Sequence, residues 1–532
     1  MKKSILSMSV AVALGGLGFA GAASAIVVYD NTGATGTQLA QHPAGTGHIM
    51  VVPYYSAQGS NATLITIVNT DVTNGKAVKV RFRGATNSDD VLDFTLLMSP
   101  GDVWSGQVAK GPNGFAQLSH SSDETTCTLP DASAWPANFS ALRLPTSVSG
   151  DNLASLTREG YVEILNMADI RPDTASNSVF TAIKHVNGKA PCTSAVLNQL
   201  VTTEVLNAAQ AGATPYDLVL PTGGLMGSWA VLNQAQTVAF SGADTAMIVT
   251  DANGVGTNGT AASQTAALAF FPQVSATYGT VPTGSPAAPG IAQVTADPLL
   301  VGGLNDSPTG AAIAAPVIPL WYDLPDLSTP ILQPVTTPQV HADALTMTMV
   351  KTNVQNEWMS VSGAVPFATD WVVSQPTRRY HVAMNYGLGH RIFSAGSTFT
   401  GYNNASLTTG GAYGPLVCMT FGLGAFNREE GSNAMGASFS PGTNTDTCGE
   451  VFTLQFGGNS VLAAAVTANP VGNIVAPLGG AGWAQLNAVT GQTLAGATLG
   501  LPMLGFSATQ YTNQLTGMNY SYTFPHRWIM TP

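Results

Sequence analysis

Charge is what this sequence has least of. Asp, Glu, Lys and Arg make up 9% of its 532 residues, against roughly 25% in an average soluble domain. Disorder is nevertheless excluded, because a disordered chain combines high net charge with low hydrophobicity, and hydrophobic residues here reach 45%. Basic residues are the scarcest: 18 Lys and Arg stand against 29 Asp and Glu. That balance argues against nucleic acid, which needs a basic footprint, and against electrostatic docking on anionic lipid. Beyond the N-terminal segment no stretch of 18 uninterrupted apolar residues occurs, so no transmembrane helix is expected. Cysteine is nearly absent too. With four residues and no C-x-x-C or C-x-x-C-H, thioredoxin-like chemistry, zinc ribbons and covalent haem have no support. A G-x-S-x-G elbow, an H-E-x-x-H pair and a Walker loop are also missing.

The chain opens MKKSILSMSVAVALGGLGFAGAASA. Lys2 and Lys3 form a positive start, an apolar stretch follows, and Ala23-Ser24-Ala25 fits small-residue cleavage. This is the pattern of a signal peptide over residues 1–25, with a mature protein beginning at Ile26. Lys2 and Lys3 would leave with it, so 16 of the 18 basic residues would remain against 29 acidic ones, a net charge of −13. In an exported chain an even cysteine count reads as disulfides. Sequential pairing, Cys127 with Cys192 and Cys418 with Cys448, keeps each bridge within one half of the chain.

The patterning is that of a mainly β protein. "ATLITIVNT" (Ala62 to Thr70) and "KAVKVRF" (Lys76 to Phe82) alternate with period 2, and Asn74-Gly75 between them is a hairpin signal. "VLDFTLL" places Leu92, Phe94 and Leu96 on one face and Asp93 on the other; "SPGD" is a Pro-Gly turn, and "VWSGQV" is the next strand, with Trp104 as a core anchor. "REGYVEILNMADI", "GGLMGSWAVLN", "AQTVAF", "TDWVVSQPTRRYHVAM", "VFTLQF" and "MNYSYTF" continue the style. The best helical spacing lies in Thr193 to Ala209. Short strands bounded by turn signals predict antiparallel β-sandwich domains, Ig-like or jelly-roll-like, with few short helices and long Pro/Gly-rich loops. The Pro-rich stretch suggests a division into a domain over 26–275, a linker or extended arm over 276–340, and a β-rich domain over 341–532.

Candidates for chemistry are few. Asp89 and Asp90 before the Asp93 strand, with Asp102 after the Pro-Gly turn, read as turn residues and the wet face of a sheet. Asp89, Asp90, Asp251 and Asn253 also supply the oxygens of a candidate calcium site. "GVGTNG" (Gly254 to Gly259) matches G-x-G-x-x-G, but no acidic residue follows between Asp251 and Asp297, so a flexible loop is the better reading. The eight histidines show no ligand-like spacing. Arg378-Arg379 is a rare basic pair, read either as a solvated turn paired with local acids or as a site for a carboxylate partner.

"HIMVVPYY", "ITIVNT", "VKVRF", "NSDDVLDFTLLMSPGDVW", "GYVEI", "PTGGLMGS", "NEWM" and "TDWVVSQPTRRY" occur in this order between His48 and Tyr380. Together they resemble a family of exported proteobacterial proteins described only as cell-surface or hypothetical proteins. The resemblance implies export and a β-rich build, and it carries no catalytic residues. The expectation is therefore a non-enzymatic protein of the cell surface or exterior: a surface-layer, matrix or adhesin-like component that associates with itself or with a surface glycan. Two alternatives come from other classes, an outer-membrane β-barrel and a secreted hydrolase with unidentified acids.

Overall fold

The computed structural model describes residues 38–141, 144–201, 218–219, 221–250, 304–306, 311–313, 345–386, 390–394, 406–408, 411–432, 444–488, 493–494, 497–498 and 500–529. The leader pattern expected over residues 1–25, Asp251, Asn253, the 254–259 glycine motif and most of the Pro-rich stretch lie outside them.

Strands dominate, as the alternation predicts, and helices are few and short. In chain order the main strands of the first half are β1 (Gln38–Gln41), β2 (Ile49–Ser56), β3 (Asn61–Asn69), β4 (Gly75–Gly84), β5 (Asp90–Met98), β6 (Val103–Lys110), β7 (Ala116–His120), β8 (Cys127–Leu129), β9 (Glu159–Ile170), β10 (Leu225–Asn233), β11 (Val238–Ala243) and β12 (Thr245–Thr250). One sheet runs β1-β12-β2-β9-β4-β5-β8, and a second runs β7-β6-β3-β10-β11. The second half contributes β13 (Asn353–Val361), β14 (Phe367–Ser374), β15 (Leu416–Asn427), β16 (Asn444–Cys448), β17 (Val451–Gln455), β18 (Ala481–Ala488), β19 (Leu504–Asn513) and β20 (Met518–Pro525). Here β15-β18-β13-β14-β17 form the spine, β16 adds to β15, β19 to β14 and β20 to β19. Among the described residues every pairing is antiparallel except the short one between 453–455 and 468–470.

The Asn74-Gly75 hairpin does not form. β3 pairs with β6 and β10, whereas β4 pairs with β9 and β5, in the other sheet. The turn between them is a corner linking two sheets. The Asp71 carboxylate organises it, accepting the Thr73 and Asn74 N–H groups at 2.8 and 3.0 Å. Asn69 fastens this corner to the Pro-Gly turn by donating to the carbonyls of Asn74 and Ser99 at 3.0 and 2.9 Å. That second turn likewise carries the chain from the first sheet, in β5, to the second, in β6.

The alternating residues fill the space between the sheets. Val78, Val80 and Phe82 of β4 meet Phe94 and Leu96 of β5, with Trp104 of β6 fully buried against them. The Phe94 and Trp104 ring centroids lie 5.5 Å apart. Gly106 leaves room for the indole: a Cβ there would stand 2.4 Å from the Trp104 ring. This core also contains Val372 and Phe506 of the second half, with Phe506 4.5 Å from the Trp229 ring. A second core lies within the second half around Trp358, Trp371 and Phe456. A third covers one end of the outer face of the first sheet, where α1 (Val179–Ile183) and α2 (Ser194–Leu197) pack on Leu97 and Ile170. α2 opens the segment with helical spacing and continues as a 3₁₀ turn over Asn198–Val201; residues 202–217 lie outside the described ones.

Both disulfides join the expected partners, Cys127 to Cys192 and Cys418 to Cys448. Cys418 and Cys448 sit opposite each other on the paired strands β15 and β16. No helix among the described residues is long and apolar enough to cross a membrane.

Candidate functional site: a buried charged ladder

The aspartates of "NSDDVLDF" do not lie on a wet sheet face. Asp89 is fully buried and Asp90 is 8% exposed. The outer face of the first sheet carries Lys79, Arg81 and Arg83 from β4, Asp93 from β5 and Glu163 from β9. Asp93, Arg81 and Glu163 are in register across three adjacent strands. Lys79 Nζ is 3.1 Å from Asp93, and Arg81 Nη1 and Arg83 Nε both reach Glu163 at 3.3 Å. Asp90 stands 3.8 Å from Arg81. The alternation does place these residues on one face, and that face is covered.

The second half extends the ladder. Arg378 and Arg379 do not form a solvated turn; both are buried. They follow β14 in a 3₁₀ turn over Arg378–Tyr380. Arg379 Nη1 lies 3.5 Å from Asp89 and donates to the carbonyl of Asn87 at 2.8 Å. Arg378 lies 3.5 Å from Glu450 and donates to the carbonyls of Thr86 at 3.1 Å and Gly449 at 2.8 Å. Tyr386 donates to Asp89, and the Asn87 amide donates to the Pro415 carbonyl at 2.9 Å. The Tyr161 hydroxyl donates to the Pro376 carbonyl at 2.9 Å. The two sequence motifs are therefore two sides of one junction, and local acids fill the role of carboxylate partner to Arg378 and Arg379.

Burial sets the electrostatics. It lowers the Lys79 ammonium below its ordinary range, against the opposing pull of Asp93. It raises Glu450 although Arg378 counters it. The Tyr386 hydroxyl is pushed well up by burial and then by the Asp89 charge. Removing such charges from water costs several kcal/mol each unless partners replace the solvent. Across the strands the sign alternates, Asp93, Arg81 and Glu163 in turn, and the β4 cations Lys79, Arg81 and Arg83 each meet a carboxylate.

A second buried junction lies at the start of β9. Glu159 accepts the backbone N–H groups of Ala465, Val466 and Thr467 at 2.7, 3.3 and 3.0 Å, and the Thr467 hydroxyl at 2.6 Å. Desolvation still raises its carboxyl. Nearby Asp370 accepts from Ser460 and from the Leu462 N–H, and burial pushes it up to about 7.

Of the other candidates, Asp102 caps its turn, accepting the Ser99 and Val103 N–H groups at 3.2 and 2.8 Å, with His185 3.9 Å away. Of the calcium candidates, Asp89 faces Arg379 and Asp90 faces Arg81, whereas Asp251 and Asn253 lie outside the described residues. No group of three or more His, Cys, Asp or Glu is placed to hold a metal ion among the described residues. Sequence reasoning passed over Glu159, Glu163, Asp370, Tyr386 and Glu450. Glu163 had a signal: a single charge inside the apolar run "GYVEIL" of a charge-poor chain needs a buried partner. Comparison with family models, curated proteins and solved structures returns no match.

Proposed function

We propose that the protein is exported and acts at the cell exterior as a structural or binding component, associating with copies of itself or with a surface glycan, without turnover. The supporting observation is where the charge goes. Lys76, Lys79, Arg81, Arg83, Arg158, Lys351, Arg378 and Arg379, eight of the 18 basic residues, are buried. Asp89, Asp90 and Asp93 face Arg379, Arg81 and Lys79, away from solvent. Neutral hydroxyl and amide side chains and aromatic rings such as Tyr520, Phe524 and Trp528 are left outside together with exposed acids such as Asp151. The neutral groups and rings suit packing against an identical surface or against hydroxyl-rich polymers. The disulfides suit an oxidising compartment, and the leader pattern and the motif resemblance point to the same place.

The test is to incubate purified mature protein with insoluble surface polysaccharide and with peptidoglycan, then sediment the mixture and assay released fragments. The expected result is self-assembly or co-sedimentation with no release. Release of soluble fragments, abolished by one carboxylate substitution, would establish the hydrolase instead. Detergent dependence with heat-modifiable migration would establish the barrel.

A further inference from the structure

Strand β20 lies at the edge of its sheet and carries the sequence MNYSYTFP, without a charged residue. Among the described residues its one strand partner is β19. Edge strands present unpaired N–H and C=O groups, and proteins blunt them with lysine, inward charges or bulges. β20 has none of these, with Pro525 at its far end. There Asn356 donates to the Phe524 carbonyl at 2.9 Å, which leaves the Met518–Tyr522 stretch as the open part of the edge.

The face of this edge is ordered by a row of rings. Phe367 of β14, Tyr511 of β19 and Tyr520 of β20 are in register on three neighbouring strands. Their rings stack, with centroids 5.0 Å apart between Phe367 and Tyr511 and 4.9 Å between Tyr511 and Tyr520. That repeat matches the spacing of hydrogen-bonded strands, about 4.7–4.9 Å. The row stops at Tyr520, which is 44% exposed. On the opposite face the strand is held in place. Asn519 donates to the Gln236 carbonyl and Ser521 to the Ala239 carbonyl, each at 2.7 Å, and Thr523 donates to Ser241.

We infer that β20 pairs antiparallel with β20 of a second copy of this chain, about a two-fold axis at Tyr520. This rests on the self-association arm of the proposed function and names its surface. In this register Met518 opposes Tyr522 of the second copy, and the two Tyr520 rings extend both aromatic rows into one. A chain that is acidic overall repels its copies, so an uncharged strand is the place where two can meet without like charges opposed. An identical strand supplies both a ladder of backbone hydrogen bonds and an aromatic ring at the next strand position, which a puckered sugar ring does not. The strand is already fixed from below, so little ordering entropy opposes pairing. The contact is small, in the transient class below about 1,200 Å², and the dimer is therefore concentration-dependent.

Sedimentation velocity of the mature protein over a concentration series, with wild type, Tyr520→Lys and Tyr520→Cys, tests this. Circular dichroism checks that each variant is folded. Wild type should show a reversible monomer–dimer equilibrium. Tyr520→Lys, which opposes two like charges, should weaken it at least about tenfold. Tyr520→Cys should form an intermolecular disulfide on mild oxidation, whereas Leu515→Cys, at the hairpin tip and 90% exposed, should not. Oligomers that persist unchanged in Tyr520→Lys would overturn this surface and leave the self-association reading standing. A monomer at every concentration, with no Tyr520→Cys cross-link, would overturn the surface and leave the proposed function to its glycan arm. Protection of Tyr520→Cys from alkylation by a soluble oligosaccharide, in a protein that stays monomeric, would also overturn it.

Discussion

Arg379 donates to the backbone carbonyl of Asn87 at 2.8 Å across 292 residues of sequence. The same guanidinium stands 3.5 Å from Asp89. A strand-to-strand turn of the second half is thus locked onto the turn that opens β5 in the first. Arg379→Met would leave Asp89 buried without that cation, and removing one partner of a buried pair costs about 3–5 kcal/mol. Arg379→Lys keeps the charge and loses the planar fork, so it should fall between wild type and Arg379→Met. Urea titration reads the order. An Arg379→Met variant within about 0.5 kcal/mol of wild type, the range of ordinary surface substitutions, would contradict the junction.

Both faces of β5 should matter. Phe94→Ala empties a fully packed site and should cost about 3–5 kcal/mol. Asp93→Asn removes a negative charge 3.1 Å from a buried Lys79, so its cost should be of the same order, about 3 kcal/mol. Equilibrium unfolding of the two variants compares them. A near-neutral Asp93→Asn would mean that the outer face is solvated.

That last expectation marks the boundary of what the sequence discloses. Period 2 in "KAVKVRF" and "VLDFTLL" locates the strands and says which residues share a face. The Lys79, Arg81 and Asp93 face looks the same in sequence whether water or protein covers it. Arg378 and Arg379, which meet the carbonyls of Thr86 and Asn87 beside this face, lie 292 residues further along the chain, and no local pattern links them. Asn74-Gly75 failed as a hairpin for a similar reason. A turn dipeptide describes local backbone, whereas Asn69 and Asp71 direct the chain across to the other sheet. The cysteine pairing was legible because four cysteines allow three pairings and proximity along the chain favours the sequential one. The edge character of β20 was not, since "MNYSYTF" alternates as any inner strand does.

Stability should depend on pH in a defined direction. Burial raises Asp370 to about 7 and Asp244 to about 8. Between the ordinary carboxylate value near 4 and these values, the folded state binds more protons than the unfolded one. The stability they contribute is complete below the unfolded value and is lost as pH rises through about 7 to 8. His526 acts oppositely. Burial lowers it to about 4, so its contribution is present above about 6.5 and is lost as pH falls through about 4. Asp370→Asn should therefore show a shallower fall in Tm between pH 5 and pH 8 than wild type. An unchanged slope would count against a buried, protonated Asp370.

The disulfides close long loops. Cys127–Cys192 spans 65 residues and Cys418–Cys448 spans 30, which in the chain-entropy model corresponds to about 4 kcal/mol each. Non-reducing peptide mapping should recover these two pairs. Each double Cys→Ser variant should unfold at lower denaturant, with the 127/192 variant affected at least as much. A bridge between the halves would refute the pairing.

The central claim concerns place and role, and protease shaving of intact cells addresses it most directly. The account predicts that peptides from the mature chain are released from undamaged cells, beginning at or after Ile26. Full protection in intact cells, with cleavage only after the outer membrane is disrupted, would place the protein in the periplasm and contradict the account.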